Sequence, residues 1–228
     1  MVTLYIIGTP IGNLKDITLR ALEVLKEVDL ILCEDTRVTK KLLEHYQIKK
    51  PLLSYHQHSK LKKVNYILEL LKQGKNLALV SDAGTPGISD PGNLLVYEAI
   101  ERLREKVEII PIPGPSAATA AASISGFPMD KFLFLGFPPT KRKRKKFFEA
   151  VVKSKYPVIF YESPYRIIKS LRDLQLISKT YNLKPKIVVC RELTKKFETI
   201  YRGKIEEVIR EIEKGKVKGE FVVIVNAD

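Results

Sequence analysis

The first half of the chain alternates short apolar runs with segments of helical periodicity. The apolar runs are Val2–Ile7, Leu30–Cys33 and Leu77–Val80, and Val107–Ile112 is a further strand-like segment. Continuous apolar runs of this length are typical of strands that are buried on both faces of a parallel sheet. Between the runs, apolar residues recur at helical spacing. Strands that alternate with helices predict a parallel sheet with right-handed crossovers.

The second half has the same two kinds of segment in a different order. Strand-like segments lie at 132–135, 158–161, 186–190, 197–202 and 220–225. Fewer helices separate them, which favours a mixed sheet. We expect a helix to open at the basic run 141–146. The sequence therefore predicts an α/β protein of two domains, 1–114 with a parallel sheet and 115–228 with a mixed sheet.

Positive charge is concentrated in the second half. The whole chain has 40 Lys and Arg against 26 Asp and Glu, a formal net charge of +14. Residues 1–114 hold 16 basic and 14 acidic side chains, whereas 115–228 hold 24 and 12. One unbroken run contributes half of this second excess: Lys141, Arg142, Lys143, Arg144, Lys145 and Lys146. Such a run favours contact with RNA phosphates, with a merely solvated surface as the alternative.

Cysteine and histidine spacing argues against a disulfide or a metal site. Cys33 and Cys190 lack a CxxC pattern, and His45, His56 and His58 share no ligand spacing with them. We therefore expect no metal. No apolar run approaches the roughly 20 residues of a membrane span. The chain opens on a strand-like segment rather than a signal peptide, so the expected compartment is the cytoplasm.

Four loops rich in glycine, proline or polar residues follow predicted strands. They lie at 8–13, 81–92, 113–117 and 161–166. Ligands of open α/β sheets bind outside the carboxyl ends of the strands, where glycines let backbone amides approach closely. The alternative is that these residues only turn the chain. Neither GxGxxG nor GxxxxGK[ST] occurs, so the fingerprints of dinucleotide and P-loop binding are missing.

The motifs taken together resemble a known family. GTPIGN, EDTR, SDAGTPGISDPG, PIPGPSA, FYESPYRI, RELTK and GEFVVIV occur in this order along the chain. This series resembles the tetrapyrrole methylase superfamily, and within it the branch that methylates ribosomal RNA of the small subunit. The resemblance implies S-adenosylmethionine as methyl donor, a cofactor cleft between two domains, and a homodimer. It also implies 2′-O-methylation of a decoding-region cytidine in 16S rRNA.

The resemblance further implies which residues bind the donor. The implied donor residues are Pro10, Asp82, Ala83, Gly84, Ile88, Ser116, Ala117, Tyr161, Leu193, Gly219 and Glu220. Many relatives continue past GEFVVIV, so we expect RNA contacts made by such an extension to be absent or replaced.

Five charged residues are candidates for the chemistry of methyl transfer. A ribose hydroxyl is a poor nucleophile, and a nearby base or cation assists the removal of its proton. Glu34, Asp35 and Arg37 follow the second predicted strand, and Glu162 and Lys195 belong to the second half. The alternative for EDTR is a helix N-terminus with dipole-favoured carboxylates and a surface ion pair. The sequence does not select one base among these residues.

Two other functions compete with rRNA methylation. One is the methylation of a small tetrapyrrole of the precorrin type, which has no use for so basic a second half. The other is a non-catalytic RNA-binding protein, which has no use for the donor-site loops. The expected partners are therefore 16S rRNA or the small ribosomal subunit.

Overall fold

The chain forms two compact units, Met1–Ser116 and Ala117–Asp228. The computed structural model describes residues 1–56 and 61–227, and His58 thus lies outside the described residues. None of the described helices is both long and apolar enough to cross a membrane.

The described part of the first unit is built on a sheet of five strands. The strands are β1 (Val2–Ile7), β2 (Leu30–Cys33), β3 (Leu52–Ser54), β4 (Leu77–Val80) and β5 (Val107–Ile112). Their order across the sheet is β3-β2-β4-β1-β5, and every pairing is parallel. The predicted parallel sheet is confirmed, and β3 is a strand that the sequence analysis did not predict.

Helices cover both faces of this sheet. They are α1 (Leu19–Glu27), α2 (Thr36–His45), α3 (Leu61–Lys72) and α4 (Asn93–Leu103). Ala78 and Val80 of β4 pack in a core cluster with α1 and α2, and Leu77 and Leu79 pack in a second cluster with α3 and α4. Successive strand residues point to opposite faces, so a strand covered on both faces is apolar throughout.

The described part of the second unit has a mixed sheet. Its strands are β6 (Leu133–Phe134), β7 (Val158–Glu162), β8 (Lys186–Arg191), β9 (Thr199–Lys204) and β10 (Phe221–Asn226). The order is β6-β7-β10-β8-β9. The β6–β7 pair is parallel and the other pairs are antiparallel, which confirms the mixed sheet.

Most helices of the second unit pack in one core cluster. The helices are α5 (Ala117–Ser123), α6 (Arg144–Val152), α7 (Ile167–Thr180) and α8 (Ile205–Glu213). Residues of α6, α7 and α8 cluster with the strands around the buried Phe148 and Phe160, and α5 packs against β7 and β10. Helix α6 begins at Arg144, and Lys143 before it has a left-handed φ of 64°. The predicted helix thus opens within the basic run, at Arg144 rather than at Lys141, and it ends at Val152.

Candidate active site

In the first unit, the loops after β1 and β4 are joined by backbone hydrogen bonds. The N–H of Thr9 donates to the carbonyl of Gly84 at 2.8 Å, and the N–H of Gly84 donates back at 3.0 Å. The Thr9 hydroxyl donates to the carbonyl of Ser81 at 3.1 Å. Two of the predicted cofactor loops therefore form one rigid edge, which includes the predicted donor residue Gly84 and the buried Pro10.

The loops after β1 and β5 meet through two glycines. The N–H of Gly8 donates to the carbonyl of Ile112 at 3.1 Å. A Cβ on Gly8 would lie 2.8 Å from the Cα of Gly114, and a Cβ on Gly114 would lie 2.6 Å from the carbonyl oxygen of Gly8. Any side chain would push these two backbones apart, so both glycines are required by the close approach.

Asp82 connects the loop after β4 to the loop after β2. Its Oδ1 accepts a hydrogen bond from the N–H of Asp35 at 3.0 Å. Desolvation raises the pKa of Asp82 above its usual value, and this outweighs the hydrogen bond from Asp35, which lowers it. The neighbouring Ala83 and Ile88 are exposed. Of the predicted donor residues of this loop, Asp82, Ala83 and Ile88 thus lie on the surface, whereas Gly84 is buried in an edge whose backbone is fixed.

The three charged residues of EDTR differ in what they contact. The Asp35 carboxylate accepts from the N–H of Arg37 at 2.8 Å and caps α2, and it also pairs with the Arg37 guanidinium at 2.6 Å. These contacts lower the pKa of Asp35 to about 2. The arrangement is the helix-terminus alternative considered for this motif. It makes Asp35 a weak base, and it makes the largely exposed Arg37 its partner on the surface.

Glu34 has a different environment from Asp35. It is half-buried at the end of β2, and desolvation raises its pKa above the usual range. The negative charge of Asp82 raises the pKa of Glu34 further. A carboxylate with a raised pKa is a stronger base, so Glu34 is the EDTR residue whose environment suits proton removal.

In the second unit, the side chain of Tyr161 on β7 contacts the start of α5. Its hydroxyl accepts from the N–H of Ala118 at 3.2 Å, and its ring packs edge-on against Phe134 and Phe137 with centroids 4.9 and 5.6 Å away. The N–H of Ala118 at the start of α5 is thereby used within the protein.

The RELTK segment is held in a strained conformation. Glu192 and Thr194 have φ values of 52° and 66°, which residues with a Cβ seldom adopt. Leu193 between them is buried. Glu192 and Glu220 exchange hydrogen bonds, in which the N–H of Glu192 donates to the carbonyl of Glu220 and the N–H of Glu220 donates to Oε1 of Glu192. Strain of this kind is concentrated at functional sites.

Lys195 is held as a cation. Its Nζ lies 2.7 Å from Glu220 and 3.0 Å from Glu192. Desolvation lowers the pKa of Lys195, but the hydrogen bonds to Glu220 and Glu192 outweigh it and raise the pKa above its usual value. A lysine that keeps its proton cannot act as a base at neutral pH. Gly219, with a φ of +94°, lies against the Glu192 side chain and leaves no room for a Cβ.

Glu162 is a catalytic candidate that the structure places in the interior. Its carboxylate is fully buried and pairs with Arg166 at 2.8 Å. It also accepts from the N–H of Ser163 at 2.8 Å and from the hydroxyl of Ser170 at 2.5 Å. The prediction of a catalytic Glu162 is corrected because these contacts enclose the group that a substrate would need to reach.

Arg144 is likewise buried, unlike the rest of the basic run. It is 7% exposed, and its guanidinium pairs with Asp173 at 2.7 Å. The prediction of an RNA contact at Arg144 is corrected, since its donors are used inside the unit. The members of the run that face solvent are Lys141, Arg142, Lys143, Lys145 and Lys146.

Two signals that the sequence analysis missed come from contacts distant in sequence. Thr9 joins two cofactor loops although it lies 72 residues from Ser81. Glu192 fixes RELTK to the start of β10 across 28 residues. Thr9 follows the glycine that ends the first apolar run, which was a usable signal for the first contact. Nothing in the sequence pointed to the second contact.

The described residues contain no cluster of three or more His, Cys, Asp or Glu side chains able to hold a metal ion. Cys33 and Cys190 are buried free thiols. Burial raises the pKa of Cys190 to about 11, which keeps it protonated.

The sequence matches known proteins over most of its length. The profile of the Tetrapyrrole (Corrin/Porphyrin) Methylases family matches residues 3–209. The ribosomal RNA small subunit methyltransferase I of Thermotoga maritima is 48% identical over 224 residues, which are 98% of this chain and 97% of that protein. The protein of the same name from Bacillus subtilis is 45% identical over 97% of this chain and 74% of its own length.

Solved structures share the fold at low sequence identity. The methyltransferase CobJ superposes with a TM-score of 0.71 at 19% identity, covering 100% of this chain and 95% of its own. The uroporphyrin-III-C-methyltransferase from Thermus thermophilus gives a TM-score of 0.64 at 16% identity, covering 98% and 94%. The family profile, the near-half identity to relatives over nearly the whole chain and the shared two-domain fold show that this chain belongs to the tetrapyrrole methylase family of S-adenosylmethionine-dependent methyltransferases.

Proposed function

We propose that this chain methylates the ribose 2′-hydroxyl of a decoding-region cytidine in 16S rRNA. The observation that carries the proposal is the 48% identity, over nearly the full length of both chains, to a ribosomal RNA small subunit methyltransferase I. The excess of basic over acidic residues in 115–228 supports a polyanionic substrate rather than a small tetrapyrrole.

The residues of the first unit fit S-adenosylmethionine. The donor carries a carboxylate, an ammonium group and ribose hydroxyls but no phosphate, so it needs backbone amides and small residues more than a cluster of arginines. The Gly8–Gly114 contact and the Thr9–Gly84 bridge provide a fixed backbone edge that added Cβ atoms would obstruct. Asp82 on this edge offers a carboxylate to an ammonium or hydroxyl group. We place the methionine and ribose portions at Pro10, Asp82, Ala83, Gly84 and Ile88.

The other donor residues stay predictions. Ser116, Ala117, Tyr161, Leu193, Gly219 and Glu220 are carried over from the family motifs. Two local features support them: the packed position of the Tyr161 ring and the strained loop around Leu193.

Glu34 is the proposed base. When bound, S-adenosylmethionine supplies an electrophilic methyl group on sulfur. Glu34 accepts the proton of the ribose hydroxyl, and its raised pKa makes it a better acceptor than Asp35. Asp35 and Arg37 fix the start of α2 beside it. Lys195 is not the base, because its ammonium group keeps its proton and is paired with Glu192 and Glu220.

Assembly and compartment follow from the same proposal. A homodimer is the expected assembly, which light scattering coupled to size-exclusion chromatography measures directly. The cytoplasm is the expected compartment because rRNA is modified there and because both buried cysteines are free thiols.

Labelled methyl transfer to three substrates in parallel tests the proposal. The substrates are small ribosomal subunits, naked 16S rRNA and free tetrapyrroles, each with methyl-labelled S-adenosylmethionine. We expect label on subunits or rRNA and none on tetrapyrroles. Label on tetrapyrroles alone would favour the precorrin alternative, and label on none would favour a non-catalytic RNA-binding protein.

A further inference from the structure

Two surface segments of the second unit are held in place by hydrogen bonds from arginine side chains. They are the basic loop, residues 137–143, and the tyrosine turn, residues 163–166. Nη1 of Arg166 in the turn donates to the carbonyl of Pro138 in the loop at 3.2 Å. Nη1 of Arg144 donates to the carbonyl of Pro139 at 3.0 Å.

Arg144 and Arg166 both belong to a largely buried network of polar side chains. Nε of Arg144 donates to Asp173 at 2.7 Å, and its Nη2 donates to the Ser170 hydroxyl at 2.8 Å. Ser170 donates to Glu162, whose other oxygen pairs with Arg166. Two guanidinium groups thus face two carboxylates, and the Arg144 guanidinium also lies 5.0 Å from the centre of the Phe148 ring. Buried charges persist only when paired in this way, so the network fixes the two segments relative to each other.

The basic loop and the tyrosine turn carry exposed cations and exposed aromatic rings. Lys141, Arg142 and Lys143 are exposed on the basic loop. Tyr165 on the turn is 95% exposed, and Phe137 at the start of the loop is 50% exposed. Tyr165 is joined to the loop through the adjacent Arg166. Through the Arg166 side chain and at about 3.6 Å per extended residue, the Tyr165 backbone lies within roughly 25 Å of Lys141, a span of a few nucleotides.

We propose that the basic loop and the tyrosine turn form one binding surface for unpaired RNA, in which Tyr165 stacks on a base and the loop cations contact phosphates. This inference rests on the proposed function and adds a preference for single strands to it. Base faces are accessible in single-stranded RNA and hidden within the stack of a duplex. Phosphates are common to both forms, so the cations alone would not discriminate between them.

Arg144 and Ser170 are positioning residues for this surface. Neither reaches the RNA, and both act by keeping the loop and the turn at a fixed separation. Pre-organised side chains bind at a smaller entropic cost than mobile ones, so loosening the network weakens binding without removing a contact.

Fluorescence anisotropy with two RNA probes tests the stacking contact. One probe is a 12-nucleotide RNA without self-complementarity, and the other is the same strand paired with its complement. Tyr165→Ala is expected to weaken binding of the single strand by between about 5-fold and 150-fold. Its duplex affinity and its salt dependence stay as in the wild type because no charge is removed. Tyr165→Phe retains the ring and is expected to bind like the wild type.

Tyr97→Ala is the matched control. Tyr97 is 59% exposed on α4 of the first unit, and its removal is expected to leave both affinities unchanged. A Tyr165→Ala protein that binds the single strand as tightly as the wild type would overturn the inference. So would an equal loss of affinity for strand and duplex, or an equal loss in the Tyr97→Ala protein.

Ser170→Ala tests the positioning role with all charges retained. We expect a several-fold loss of single-strand affinity together with a cooperative thermal transition. Wild-type affinity in this variant would show that the network only stabilises the fold.

Measurements on the wild-type protein distinguish failure of the proposed function from failure of this inference alone. If it neither binds RNA nor transfers methyl groups to subunits, the proposed function and this inference both fail. If it does both while Tyr165→Ala binds normally, only this inference fails.

Discussion

Glu34, Asp35 and Asp82 lie at neighbouring strand ends, yet their environments shift their pKa values in opposite directions. Asp35 is kept ionised by Arg37 and by the amide it caps. Desolvation raises the pKa values of Glu34 and Asp82, and the negative charge of Asp82 raises the pKa of Glu34 further. Carboxylates whose pKa values are driven apart in this way are typical of sites where one group acts as a base.

Glu34→Gln tests the assignment of the base. Glutamine keeps the size of the side chain and cannot accept the ribose proton, so we expect the methylation rate to fall by about 10²- to 10⁴-fold. Labelled methyl transfer at saturating donor measures the rate, and Glu44→Gln on the exposed face of α2 is the control. A Glu34→Gln enzyme with the wild-type rate would remove Glu34 from the mechanism.

Asp82→Asn tests the electrostatic coupling to Glu34. A base works in its deprotonated form, so activity rises as the pH rises through the pKa of Glu34. Asparagine can still accept the hydrogen bond from Asp35 but removes the negative charge that raises the pKa of Glu34. We therefore expect the rising limb of the kcat/KM profile to move to lower pH.

The control for this profile is Asp29→Asn. Asp29 also accepts a backbone hydrogen bond, from Asn76 at 2.7 Å, but it precedes β2 rather than following it. Its substitution is expected to leave the limb in place. A limb that stays in place in Asp82→Asn, or moves to higher pH, would contradict the coupling.

At the scale of elements, the backbone edge proposed for the donor depends on how closely the backbones of successive loops approach. Gly8 and Gly114 are in contact, and Thr9 and Gly84 form an isolated antiparallel bridge beyond the ends of the parallel strands. These contacts tie the loops after β1, β4 and β5 together. The backbone contacts therefore determine the geometry of the edge, which carries side chains such as Asp82.

Gly8→Ala is expected to disturb this edge. The new Cβ would lie 2.8 Å from the Cα of Gly114, a backbone atom that cannot move away cheaply. Overpacking of this kind costs about 1–3 kcal/mol in the free energy of unfolding, which denaturant titration measures. Donor affinity by calorimetry is expected to fall as well. Gly215→Ala has open space around its Cβ and is the control, so equal behaviour of the two variants would contradict the close-approach argument.

The strands that sequence patterns predicted well are those with a clear strand-like segment in the first half. The bounds of β1, β2, β4 and β5 agree with the predicted segments, and β2 and β4 are almost wholly buried. In contrast, β3 has three half-buried residues after a proline and gives almost no apolar signal. Thr18 was predictable as a cap of α1, and its hydroxyl accepts from the N–H of Ala21.

The site residues that sequence patterns misplaced are polar residues with distant partners. Glu162 lies two residues from Phe160 and shares its inward face of β7, but the polar YESP context suggested exposure. Arg144 is buried by Asp173 and Ser170, which are 29 and 26 residues away. The sequence of a basic run does not show which of its residues is buried, because tertiary contacts determine which side chain is buried.

For the whole molecule, the charge asymmetry agrees with a division between donor binding and RNA binding. The near-neutral 1–114 segment carries the backbone edge proposed for the donor, and 115–228 carries the exposed cations. S-adenosylmethionine has a small net charge, whereas every nucleotide of rRNA adds a phosphate.

Neutralisation of the exposed cations tests this division. Lys141, Arg142, Lys143, Lys145 and Lys146 are changed to glutamine, and the buried Arg144 is kept. RNA affinity is expected to fall, and the slope of log K against log salt is expected to flatten by about 0.7 for each lost phosphate contact. Donor affinity by calorimetry stays unchanged.

Five exposed lysines of the first unit give the matched control. They are Lys26, Lys49, Lys62, Lys72 and Lys75. Their replacement removes the same charge and is expected to change RNA affinity and its salt slope much less. Equal losses in the two proteins would mean that net charge, rather than the placement of the basic run, determines RNA binding.

The most direct test of the central claim is the chemical position of the transferred methyl group. Small subunits or 16S rRNA are methylated with labelled S-adenosylmethionine, and the RNA is then hydrolysed in alkali. A 2′-O-methyl group blocks cleavage at its own nucleotide, so the account predicts label in an alkali-resistant dinucleotide that contains a cytidine. Label in a mononucleotide, which indicates methylation of a base, or label only on a tetrapyrrole would contradict it.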